Sequence, residues 1–62
     1  MNIDRAIEIE KATAELFENL EKVFREYQET EHAEKCKAGA EEHRKIIEWL
    51  EKLKIMVTEV VE

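Results

Sequence analysis

Few residues in this sequence are equipped to do chemistry. They are two histidines, His32 and His43, a single cysteine, Cys36, and a glutamate, Glu10, set among apolar neighbours. Imidazole nitrogens, a thiolate and a carboxylate are the donors of transition-metal sites. His32 and Cys36 stand one helical turn apart and can reach one ion. His43 lies two turns further on, roughly 10 Å along a helix axis at about 1.5 Å per residue. One helix cannot gather all three, so a metal site built from Glu10, His32 and His43 needs a second helix or a second chain. Otherwise these residues form a polar-tolerant seam. Cys36 as a nucleophile would need a base beside it in a cleft, and nothing in the sequence marks one. No enzyme activity, cofactor or stoichiometric metal is expected. On a helical wheel Glu10 falls between Ile3, Ala6 and Phe17. It either sits at the solvent boundary of an apolar arc or points into a bundle.

The elements that must position these residues are helices. Ala, Glu, Lys, Leu and Arg make up more than half of the chain, proline is absent and Gly39 is the only glycine. The first half has an apolar seam of Ala6, Ile9, Thr13, Leu16, Leu20, Val23 and Tyr27, in alternating steps of three and four. The second half repeats the alternation through His32, Cys36, Gly39, His43, Ile46, Leu50, Leu53, Val57 and Val60. Continued past Tyr27, the first seam lands on polar residues only, so the two cannot share one straight helix. The phase breaks between Gln28 and Glu31. This predicts an all-α fold, an antiparallel two-helix hairpin over about 3–28 and 31–59, assembling into a homo-oligomeric helical bundle. Asn2 and Thr30 are the expected N-caps, with Asp4, Glu31 and Glu34 suiting the helix dipoles.

The hairpin places Phe24 near Cys36, Leu20 near Gly39 and Phe17 near His43. Bulky residues of the first helix then meet small ones of the second, which accounts for a mid-helix glycine that costs about 1 kcal/mol. The apolar arcs are too broad for one neighbour. Ile3, Ile7, Phe17 and Phe24 widen the first helix, and Ile47, Trp49 and Met56 the second. These seven are the expected oligomer interface.

Sixty-two residues make a single domain, 1–62, with a core too small to stand easily alone. One cysteine excludes an intrachain disulfide and suits a reducing cytoplasm. There is no apolar run long enough for a membrane span, and no signal peptide is expected, since Met1 to Arg5 are not a charged leader followed by an apolar stretch. The net charge of −6 argues against docking on a nucleic-acid backbone. Its ten basic residues are interleaved with the acids. Glu18–Lys22, Glu21–Arg25, Glu31–Lys35, Glu41–Lys45 and Glu48–Lys52 stand at i,i+4 with Glu first, the favourable order.

Two resemblances arise from these patterns. The stretch AIEIEKATAELFENL, Ala6 to Leu20, resembles the first helix of rubrerythrin and ferritin-like di-iron proteins, where a glutamate at the place of Glu10 binds iron. That resemblance implies Glu-x-x-His on the second helix. Ala40 stands three before His43 instead, and Glu29 and His32, which do have the spacing, lie in the expected turn. Nearly the whole chain resembles the small helical-hairpin proteins encoded by phages and prophages of Gram-positive bacteria. The shared features are Arg5-Ala6-Ile7-Glu8, Ala33-Glu34-Lys35, and His43-Arg44 followed by Ile46-Ile47 and Trp49-Leu50. Several small phage proteins act by binding and disabling host defence components or their signals, so this resemblance implies an interaction protein of the host cytoplasm.

Three functional expectations follow. The first is a non-enzymatic interaction protein that binds itself and a host protein or small signal molecule. Tyr27, Trp49 and Met56 would be its anchors. Tyr27, Lys35, Lys37, Arg44 and Lys45 would be the candidate ligand contacts, the bases serving an anionic signal. The second is a ferritin-like metal bundle using Glu10, His32 and His43. The third is a purely structural oligomerisation module, natural or designed; a free cysteine and seam histidines are uncommon choices in design.

Overall fold

The computed structural model describes residues 2–61, with side chains through Thr58. It consists of helix α1, Ile3–Glu26, and helix α2, Thr30–Val61, packed against each other as an antiparallel hairpin. Among the described residues there is no strand. None of the helices described is long and apolar enough to cross a membrane.

Local chemistry sets the helix ends. Asn2 caps α1: its side-chain oxygen accepts from the backbone N–H of Asp4 at 2.9 Å and of Arg5 at 3.3 Å. Asp4 in the first turn and Arg25 in the last complement the helix dipole. At the other end the Glu29 N–H donates to the Phe24 carbonyl at 2.8 Å, and the Gln28 N–H to the Arg25 carbonyl at 3.1 Å. This is a Schellman closure. It needs a left-handed residue, and Gln28 takes that place with φ 61. The chain thus reverses without glycine or proline. The cap of α2 is one residue earlier than expected. The Glu29 carbonyl accepts the first helical bond, from the Ala33 N–H at 2.9 Å, and Thr30 is already helical.

The inner seam of α1 differs from the expected one, while Cys36, His43 and Leu50 of the expected α2 seam do turn inward. The residues of α1 turned toward α2 are Ile3, Ile7, Glu10, Ala14 and Phe17, stepping by four and three, and Phe24, seven further on. On α2 they are Ala33, Cys36, Ala40, His43, Ile47 and Leu50. Five of the seven residues expected at the oligomer interface, Ile3, Ile7, Phe17, Phe24 and Ile47, therefore pack within the hairpin. Ile7 and Ile47 are buried there. Conversely Ile9, Leu16, Val23 and Tyr27, expected at the interhelical seam, are exposed. The physical reason is close approach. Ala14, Ala33, Cys36 and Ala40 are all buried small residues that let the two backbones come together. Val57 is exposed as well, and the Val60 side chain lies outside the described residues.

The packing register follows from this seam. The Phe17 ring stacks on His43, as expected, with centroids 5.5 Å apart. The Phe17 ring, rather than Leu20, also fills the space over Gly39. Phe24 stacks on His32, with centroids 5.3 Å apart, one turn before the expected Cys36.

Candidate functional site

The hairpin has two unlike flanks. Flanking the seam on one side, Asp4, Lys11, Glu18 and Arg25 recur every seven residues on α1, and Lys37, Arg44, Glu51 and Thr58 do so on α2. In an antiparallel pair these two rows border the same groove. Three ion pairs cross it. Lys54 meets Asp4 at 2.5 Å, Arg44 meets Glu18 at 2.8 Å and Arg25 meets Glu34 at 3.6 Å.

The Arg44–Glu18 pair is two-pronged: Nη2 donates to Oε1 at 2.8 Å and Nε to Oε2 at 3.3 Å. Its hydrogen bond to Arg44 holds the Glu18 carboxyl below the usual carboxylate range, and the same bond raises Arg44. Arg25 is raised in the same way, first by its hydrogen bond to Glu21. Of the expected i,i+4 pairs, Glu21–Arg25 closes at 2.8 Å and Glu31–Lys35 at 3.8 Å, while Glu18 reaches across the hairpin instead.

Two shallow grooves lie on this flank. One, at the open end, runs between Asp4 and Lys11 of α1 and Glu51 and Lys54 of α2. The other, nearer the turn, holds Lys37, Arg44 and Lys45. Each groove is lined by three acidic and three basic side chains. Neither therefore has the positive excess that would draw an anionic signal molecule. Of the candidate ligand contacts, Lys37, Arg44 and Lys45 share the turn-side groove, whereas Lys35 and Tyr27 do not line it. Arg44 is already engaged by Glu18.

The opposite flank is apolar. On α1 it carries Ala6, Thr13, Leu20 and Tyr27 next to the seam, and Ile9, Leu16 and Val23 beyond them. On α2 it carries Gly39, Ile46 and Leu53 next to the seam, and Trp49 and Met56 beyond. Ile9, Leu16, Val23, Trp49 and Met56 are exposed; Trp49 is 63% and Leu16 57% accessible. Within these rows Lys35 and Glu42 are the only charged residues among those described. The two interface residues expected on the outer side of α2, Trp49 and Met56, do stand on the open surface.

Between the flanks sits a polar pair. The Glu10 carboxylate meets Nδ1 of His43 across the seam, both half-buried, and the Phe17 ring covers the imidazole. Sequence reasoning singled out both residues as metal donors but missed that they meet each other. The available signal was that each is a polar residue at an inner position of its own helix. His32 is remote from this pair; its Nδ1 lies 3.3 Å from Glu29 at the turn. Cys36 is buried in the seam as a free thiol. Among the described residues no group of three or more His, Cys, Asp or Glu side chains converges to hold a metal ion.

In comparisons with known proteins, no family model, no curated protein and no solved structure matches this chain.

Proposed function

We propose that this chain is a non-enzymatic interaction protein that works through contact by its apolar flank. The observation carrying this reading is the row of exposed Ile9, Leu16 and Val23 on α1 beside Trp49 and Met56 on α2. Large apolar side chains scattered singly over a surface are ordinary, but a contiguous row marks a contact surface. Trp49 is the principal anchor, because tryptophan is the residue most enriched where binding energy concentrates. The sequence resemblance to phage-encoded hairpins supports a host protein as the eventual target of the assembled molecule, met in the host cytoplasm. The balanced charge of the two grooves favours a protein over a small anionic signal as that target.

Site-specific photocross-linking tests the reading. A benzoylphenylalanine at Leu16 or Trp49 should form cross-linked products in cell extract, with another copy of the chain or with another protein. The same group at Glu8 or Glu41 should form few. Equal labelling from both flanks, or none from either, would remove the apolar flank as the working surface.

A further inference from the structure

We infer that the occupant of the apolar flank is a second copy of this chain, the two hairpins closing into a four-helix bundle. This rests on the reading that the flank is a contact surface, and it names the partner.

The first argument is area. The hairpin exposes 5131 Å². A compact monomer of 7.4 kDa exposes about 4,200 Å². The excess, about 900 Å², is close to the roughly 800 Å² that each partner contributes to a stable interface. The shape agrees. The radius of gyration is 14.8 Å and the molecule measures 52 × 14 × 13 Å. A compact chain of this length has a radius of about 11 Å. Among the described residues no large side chain is fully buried. The hairpin is half of a core.

The second argument is period. The exposed rows recur every seven residues, in step with the inner seam, so each helix has two apolar stripes of one repeat. A surface of that kind is matched by helices with the same repeat. The chain supplies two such helices itself, and a two-fold axis would set the same patch of both copies face to face. The rows also mix large and small residues, Leu16, Leu20 and Trp49 against Ala6 and Gly39, which lets like surfaces interlock.

The third argument is charge. The chain carries a net −6, so two copies repel at long range. That excess is absent from the flank, where Lys35 and Glu42 cancel. A strongly basic partner would find nothing on this flank to complement. A second copy can approach it without confronting like charge.

The test uses the full chain and its single tryptophan. Sedimentation equilibrium from about 1 to about 100 µM should show twice the mass of 7.4 kDa, with a thermal midpoint that rises with concentration. Trp49 emission should be blue-shifted at high concentration and move to the red on dilution. Added salt should strengthen the association, since it screens the −6 charges. Leu16→Lys should lower the association constant at least tenfold. Should that variant also lose helix, the dilution series on the natural chain still decides. A folded 7.4 kDa species at 100 µM, with Trp49 emission and midpoint independent of concentration, overturns the inference. Cross-links from Leu16 and Trp49 to another protein would then leave the contact reading standing with a different occupant. Their absence would remove both.

Discussion

Glu10 and His43 meet across the hairpin although 33 residues separate them in sequence, and theirs is the polar contact set deepest into the interhelical seam. Each stands where its helix otherwise presents Ile, Ala, Phe or Leu. Two polar groups facing each other satisfy one another, while either alone is left unpaired.

Single and double substitutions should therefore behave differently. His43→Leu leaves Glu10 facing an apolar side chain and should cost about 1 kcal/mol, the low end for an orphaned polar group because water still reaches the pair. Glu10→Leu with His43→Leu should recover that loss or exceed it, as apolar replacements of a paired polar contact often do. Chemical denaturation of the natural chain and the two variants at one fixed protein concentration provides the comparison. Equal losses in the single and double variants would mean the contact contributes nothing beyond packing.

Gln28 holds the left-handed position of the Schellman closure. A side chain there costs roughly 1–2 kcal/mol that glycine avoids. Gln28→Gly gives back part of that gain through the greater freedom of the unfolded chain. The net should be a stabilisation of about 1 kcal/mol, or a midpoint higher by roughly 4–8 °C. A lower midpoint would show that the Gln28 side chain makes a contact worth more than the strain.

The fold was legible because phase is a strong signal. The seams of the two halves cannot be joined on one helix, so a turn near residue 28 was required. What the sequence could not show was which of two stripes on α1 turns inward. Ile9, Leu16, Leu20 and Val23 are more apolar than Glu10, Ala14 and Phe17, so hydrophobicity alone chose the wrong stripe. Steric fit decides instead. Small residues at 14, 33, 36 and 40 permit close backbones, and the reach of Glu18 to Arg44 then fixes the charged flank. The Glu10–His43 contact was hidden for the same reason, since it exists only in the register that the small residues impose.

The Glu18–Arg44 pair has a definite pH signature. Arg44 lowers the carboxyl of Glu18 in the folded protein relative to its ordinary value. The stabilisation is thus fully present above the ordinary carboxylate range and is lost as pH falls through the folded value. Glu18→Gln should have a slightly lower midpoint than the natural chain at neutral pH. The difference should shrink in acid and vanish once the pH has fallen through the lowered folded value, where the natural carboxyl is itself protonated. The pair is exposed, so the effect should be small and should shrink with salt. Thermal scans of both proteins from neutral to acid pH test this, and a difference that survives acid would assign the effect to packing.

Gly39 offers a test of how tightly the helices approach. In a helix interior glycine is disfavoured against alanine by about 1 kcal/mol, so Gly39→Ala should stabilise if space allows. A Cβ added at Gly39 would lie 3.3 Å from both Cδ1 and Cε1 of Phe17. That is closer than the roughly 3.5–4.0 Å at which carbon atoms attract best. The ring must yield by a few tenths of an ångström, yet it is also stacked on His43. Crowding and propensity then oppose each other, and Gly39→Ala alone should leave stability nearly unchanged. Phe17→Leu removes the ring edge that the new methyl would meet. In that background Gly39→Ala should show its full gain of about 1 kcal/mol. The coupling between the two sites should accordingly be about 1 kcal/mol, within the range of residues in contact. All four proteins must be unfolded at one concentration, since self-association would otherwise shift the midpoints. An equal gain from Gly39→Ala in both backgrounds would show that Phe17 moves aside freely, and that glycine at this position is not held there by the ring.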